Sequence, residues 1–165
     1  MHRPQQWLRF SIATLMFALA SFAQKEHVPS RQGLSLEADQ RRQARSFSVS
    51  TLLTRNLQEV FGENDLARRR AAIDEIFTED CVFYDPNKGV YRGRAEIDRI
   101  AAELRATHHD FRYQPIGEPE EVGNGGRVRW VEGRPGEPPA LAGTDFIIAR
   151  DGRIAAVYLF FDKLS

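Results

Sequence analysis

Leu141-Ala142-Gly143-Thr144-Asp145-Phe146-Ile147-Ile148-Ala149-Arg150, Asp151-Gly152, then Arg153-Ile154-Ala155-Ala156-Val157-Tyr158-Leu159-Phe160-Phe161-Asp162 is the stretch on which the fold turns. Two long runs flank Asp151-Gly152, a tight-hairpin signal. In the first run one parity holds Gly143, Asp145, Ile147 and Ala149, and the other holds Thr144, Phe146 and Ile148. In the second, Val157, Leu159 and Phe161 alternate with Ala156, Tyr158 and Phe160. Both faces are therefore apolar, whereas an antiparallel sheet with one wet face alternates apolar with polar. Helices of the chain can cover one face. The other is expected to meet a second copy, giving a homodimer through the sheet; the alternative is a sheet curled enough to cover itself.

Upstream, Phe111 to Ile116 and Arg127 to Glu132 read as two more strands, separated by Gly/Pro/Asn-rich turns. Gly123-Asn124-Gly125-Gly126 has no helix after it, so it is a hairpin turn and not a phosphate loop. Before these strands lie three helices. Ser50 caps the first, with Leu53, Leu57, Val60 and Phe61 in one stripe and Gly62 as the stop. Asp65 caps the second, with Leu66, Ile73, Ile76 and Phe77 as its stripe and Arg68-Arg69-Arg70 as a solvated face. Gly93 opens the third, carrying Ile97, Ile100, Ala101 and Leu104. Between the second and third, Val82 to Asp85 and Val90 to Arg92 form a strand pair around Pro86-Asn87-Lys88-Gly89. Helices first and an antiparallel meander afterwards make an α+β domain with its helices on one face of the sheet.

The N-terminal segment is of another kind. His2, Arg3 and Arg9 precede an uncharged, mostly apolar run from Phe10 to Ala23, ending on Ser21-Phe22-Ala23. Residues 1–23 are read as a secretory signal peptide, with an uncleaved anchor as the alternative. The expectation is a secreted or periplasmic protein with no membrane attachment after cleavage. Residues 24–46 are rich in Gln, Arg and Ser and read as a flexible linker, leaving 47–165 as the domain.

Across 165 residues, 23 Lys+Arg balance 23 Asp+Glu, and the domain alone carries 16 basic against 20 acidic residues. That balance argues against a nucleic-acid partner. A single cysteine, Cys81, excludes a disulfide within the chain and a cysteine-built zinc cluster. His108-His109 ends the third helix, where the helix dipole favours histidine; no metal and no cofactor are expected.

Two acids carry the chemical signal. Asp85 ends the strand Cys81-Val82-Phe83-Tyr84-Asp85 before Pro86, which biases it towards extended geometry. Asp145 sits in mid-strand among Gly143, Ile147 and Ala149. A carboxylate there is costly to bury unpaired. Burial would keep it protonated, as a hydrogen-bond donor; partial exposure would leave a base. Alternatively each acid is neutralised by an arginine, from Arg127, Arg129, Arg92 or Arg94.

The stretch from Leu52 to Leu164 resembles the nuclear transport factor 2-like superfamily, in particular its SnoaL-like and ketosteroid isomerase-like members. The resemblance rests on Ile76-Phe77-Thr78-Glu79-Asp80-Cys81-Val82 leading into Tyr84-Asp85-Pro86, on Tyr91-Arg92-Gly93-Arg94, on Gly143-Thr144-Asp145-Phe146 and on Arg150-Asp151-Gly152-Arg153-Ile154. It implies a cone: a curved antiparallel sheet wrapped around three helices and enclosing a pocket, commonly in a dimer. It also implies that Asp85 matches the position of a general base and Asp145 that of an acid stabilising an enolate. The tyrosine that such isomerases carry on the first helix falls near Leu57, next to Asn56, so Tyr84, Tyr113, Tyr158 or Trp130 would have to replace it. The expected activity is a cofactor-independent isomerase, cyclase or lyase acting on a small apolar carbonyl compound. Phe83, Trp130, Ile147, Phe160, Phe161 and Tyr113 are the candidate substrate-binding residues. The alternatives are a non-catalytic binding module and a dimerisation module.

Overall fold

The computed structural model describes residues 46–87 and 89–164. The predicted signal peptide and nearly all of the linker lie outside these residues. The first helix, α1, spans Val49–Arg55 and runs on as a π-helical turn, Asn56–Phe61. Ser48, two residues before the predicted cap, accepts a hydrogen bond from the Thr51 N–H at 3.1 Å. Ser50 instead ties the helix to the sheet, its N–H and hydroxyl both donating to Glu121 at 2.7 Å. Gly62 is the C-cap, and a side chain is excluded there because a Cβ would stand 2.8 Å from the Leu57 carbonyl oxygen.

Helix α2 is Leu66–Ile76 and α3 is Arg94–Thr107. Asp65 caps α2 as expected, accepting from the Arg68 N–H at 2.9 Å. Its buried stripe is Arg69, Ala72, Ile73 and Ile76; Leu66 is exposed and Phe77 begins a strand. Arg69 thus departs from the solvated-face expectation. It is buried with its Nε 2.8 Å from Asp98 on α3, while Arg70 reaches the same carboxylate at 2.7 Å. Burial works against ionisation of Asp98, but Arg70 and Arg69 together hold its carboxyl below the ordinary range.

Six strands follow in one sheet: β1 Phe77–Asp85, β2 Gly89–Arg92, β3 Arg112–Val122, β4 Gly125–Gly133, β5 Leu141–Arg150 and β6 Arg153–Phe161. Their order is β2-β1-β6-β5-β4-β3. The strands β3 to β6 form the predicted antiparallel meander. The sheet as a whole is mixed, because β1 lies parallel to β6. Two strands run furthest past their expected ends. In β3, Gly117 and Pro119 look like a turn in sequence, yet the strand absorbs them with a register shift between Ile116 and Glu120 and a positive φ at Gly117. Pro119 is tolerated there because β3 is an edge. In β1, a register shift between Phe77 and Val82 carries the strand back to the end of α2. The Asp151-Gly152 hairpin forms as read, both residues at positive φ.

The core lies between the helices and one face of the sheet. Leu52, Leu53, Val60, Ile76, Ile97 and Ile100 meet Phe77, Val128, Ile147, Ile154 and Val157, all essentially without exposure. Among the described residues, no helix is long and apolar enough to cross a membrane.

Candidate active site

The cavity lies between the π-helical turn of α1, α3 and the helix-facing side of β1 and β3 to β6. Leu57, Phe61, Phe83, Leu104, Tyr113, Trp130, Leu141, Leu159 and Phe161 supply its apolar wall, and Asp85, Asn87, Glu132 and Asp145 its polar groups. The room inside, traced by the centre of a water-sized sphere, is about 80 Å³. That is several waters' worth, enough for a small organic molecule and short of the hundreds of Å³ that house drug-sized ligands.

Asp145 and Trp130 occupy the same face of neighbouring strands. In the β4–β5 ladder Val128 pairs with Asp145 and Trp130 with Gly143, so the indole and the carboxylate are diagonal neighbours. The Trp130 Nε1–H donates to Asp145 Oδ1 at 3.0 Å. From the other side, Asn56 Nδ2 donates to Asp145 Oδ2 at 3.0 Å. All three side chains are buried. The alternative of an arginine pairing is not met at Asp145: Arg127 and Arg129, on the opposite face of β4, reach Glu120 and Asp162 instead. Loss of hydration therefore dominates, and burial pushes the Asp145 carboxyl up to about 6 against the downward pull of Trp130 and Asn56.

Asp85 lines the same cavity at its rim. Its Oδ1 accepts the Asn87 N–H at 2.8 Å, an Asx turn that fixes the carboxylate where β1 ends. It is half-buried, and it also borders a groove on the outer side of the sheet with Tyr84 and Val90.

Of the candidate substrate-binding residues, Tyr113, Phe83, Trp130 and Phe161 line the cavity. Ile147 and Phe160 do not. Ile147 shares a face with Asp145 but packs one step deeper, in the core. Phe160 has the opposite parity to Leu159 and Phe161; it is 57% exposed and borders a groove with Arg127, Phe146 and Tyr158. Of the tyrosines weighed as replacements, Tyr84 and Tyr158 stack on each other at 4.6 Å away from the cavity. Tyr113 alone of these lies inside, edge-on to Trp130 at 5.1 Å.

Three site residues escape the sequence reading. Asn56 sits beside the expected Leu57, but its partner is 89 positions away. Glu132, at the end of β4, is buried against the cavity, and the Tyr113 hydroxyl donates to it. Burial raises the Glu132 carboxyl more than Arg105 and Tyr113 lower it; burial, then Glu132, pushes the Tyr113 phenol well above its usual value. Arg105, buried behind Glu132 with Nη1 at 3.7 Å, anchors through Nε to Asn64 and through Nη2 to the His109 and Phe111 carbonyls. Asn56, three residues after Leu53, and Arg105, four after Ala101, each interrupt the apolar stripe of a helix, which marks the position but not the partner; nothing local distinguishes Glu132.

The profile of the SnoaL-like domain matches residues 54–157, more than half of the chain, and the chain belongs to this family. Among solved structures, it is similar to a conjectured isomerase of the SnoaL-like family from Agrobacterium tumefaciens, at 26% identity over 68% of this chain and 96% of that one, with a TM-score of 0.64. It shares its fold with a conjectured polyketide cyclase from Sinorhizobium meliloti (21% identity, 67% and 94% covered, TM-score 0.53). The same holds for a conjectured ketosteroid isomerase from Kribbella flavida (17%, 71% and 79%, TM-score 0.54). Comparison with the curated proteins gives no match.

Proposed function

We propose that this domain is a cofactor-independent enzyme of the isomerase, cyclase or lyase kind, moving a proton on a small apolar carbonyl compound, with Asp145 and Asp85 as its acid–base pair. The observation that carries this is the seat of Asp145: an anion held between two N–H donors in an apolar hollow, its carboxyl at about 6. A base works best when its pKa lies near the working pH and its orientation is fixed. Both conditions favour Asp145 as the proton acceptor. Its two donors favour the ionised form, which cannot donate to an enolate, so the roles implied by the resemblance are exchanged: Asp85 at the rim is the second carboxylate. Tyr113, the phenol inside the cavity, is the candidate partner for the developing oxyanion, on turning its one O–H from Glu132 to the ligand.

The test is solvent-deuterium exchange at the carbon next to the carbonyl in a panel of small ketones. The wild type is expected to exchange at least one panel member, Asp145→Asn to lose about 10²–10⁴-fold of that rate, and Asp85→Asn to lose less. Exchange by Asp145→Asn at the wild-type rate would refute the assignment.

Two further proposals accompany it. The outer face of β5 and β6 presents Phe146, Ile148, Tyr158 and Phe160, with Arg127 and Asp162 at its border. An apolar patch edged by both charges is self-complementary, which suits a two-fold dimer of this chain. Phe146→Asp is expected to turn a dimer into a folded monomer in sedimentation; a wild-type monomer would end this proposal. Export through residues 1–23 is supported by the sequence pattern alone, and a mature N-terminus starting after Ala23 is the expected result of N-terminal sequencing.

A further inference from the structure

The cavity is electrically one-sided. Three carboxyl groups line it, and among the described residues lining it there is no arginine, lysine or histidine. Glu132 has the buried Arg105 guanidinium 3.7 Å behind it. Among the described residues Asp145 has no such partner: its two hydrogen-bond donors, Trp130 and Asn56, are neutral. A buried anion without a counter-charge is a standing deficit, relieved by protonation or by a cation arriving from outside.

The hydrogen-bond inventory leans the same way. Asn56 spends its amide N–H on Asp145, and its Oδ1, buried with the rest of the side chain, has no hydrogen-bond partner. Each Asp145 oxygen accepts one N–H and keeps a further acceptor direction. Acceptors outnumber donors around this carboxylate, so a ligand that brings N–H groups meets unmet demand. Beside the leucines Leu57, Leu104, Leu141 and Leu159, the wall carries five aromatic rings: Phe61, Phe83, Tyr113, Trp130 and Phe161. Aromatic faces attract cations, most strongly where water is excluded. An anionic substrate meets the opposite: the Asp145 carboxylate and, among the described lining residues, no cationic side chain.

We infer that this cavity selects a small ligand carrying a protonated amine on an apolar body, with Asp145 as its counter-ion and the aromatic wall around its carbon atoms. This deepens the proposed function and rests on its placement of the ligand beside Asp145; the substrate class becomes small amine-bearing carbonyl compounds.

The probes are tert-butylammonium and tert-butanol, alike in shape and different in charge. Each is titrated into the full chain at pH 7.5 and constant ionic strength, following the Trp130 indole N–H resonance. The ammonium is expected to bind about tenfold more tightly than the alcohol, and Asp145→Asn to bring the two within about threefold of each other. Equal binding of both probes to the wild type overturns the inference, as does no saturable shift with the ammonium. So does an ammonium preference unchanged by Asp145→Asn. The wild-type comparison stands without any variant, and a thermal melt checks that Asp145→Asn is folded. Loss of deuterium exchange in Asp145→Asn with no ammonium preference removes this inference and leaves the proton-transfer function intact. An ammonium preference without any exchange does the reverse.

Discussion

Gly143 stands directly across the β4–β5 ladder from Trp130, and the indole fills the space a side chain at 143 would need: a Cβ there would lie 2.5 Å from Trp130 Cζ2. The glycine therefore fixes where the indole sits, and through Nε1 it fixes one oxygen of Asp145. Gly143→Ala forces the ring or the strand to move. We expect a loss of about 1–3 kcal/mol in stability from overpacking, read by denaturant unfolding, and an altered Trp130 fluorescence. A variant with wild-type stability and spectrum would show that the indole is free to shift.

Asp145 gives stability a definite pH dependence. Its folded-state value of about 6 lies above the ordinary 3.8, so the folded protein holds this proton more tightly than the unfolded chain. The stabilising contribution of the protonated group is complete below about pH 4, declines as pH rises through about 4–6, and is gone above that. The whole change is on the order of 3 kcal/mol. Asp145→Asn lacks the titration, and its new amide can donate to the Asn56 Oδ1 once that side chain turns over. The variant is expected to gain on the wild type as pH rises from 4 to 8, measured by urea unfolding at each pH. Parallel stability curves would contradict this.

The helices are joined by charge as well as by packing. Asp98 receives Arg69 and Arg70 at once, and the Arg69 side chain is buried. Asp98→Ala leaves the Arg69 guanidinium buried without its partner, which costs about 3–5 kcal/mol. Glu120→Ala removes only the exposed partner of Arg127 and is expected to change stability by less than about 1 kcal/mol. Thermal melts of the two variants separate the cases; similar values would mean that water reaches Asp98.

The sequence was informative where local pattern decides geometry. Asp65, Gly93 and Asp151-Gly152 act as helix and hairpin boundaries, and Asp85 and Asp145 line one cavity because strand parity and an Asp-Pro bond set their directions. It was uninformative where a distant contact selects one residue from a uniform background. Arg69 is indistinguishable from Arg68 and Arg70 until α3 brings Asp98 against it. Asn56 lies at the start of a π-helical turn, so the helical period that marks Leu57 says nothing of the Asn56 side chain reaching β5. Phe160 and Phe161 are adjacent and alike, and only the β5–β6 register assigns one to the cavity and one to the outer face. The parallel pairing of β1 with β6 leaves no mark in either strand's composition.

The ionisation of Asp145 can be read directly by following its side-chain carboxyl carbon in ¹³C NMR across pH 3–9, with Asp145→Asn to assign the signal. A midpoint near 6 is the expected result, moving upward in Asn56→Leu, which removes one of the two donors. A midpoint near 4, unchanged by Asn56→Leu, would place this carboxylate in water and contradict its role as a buried base.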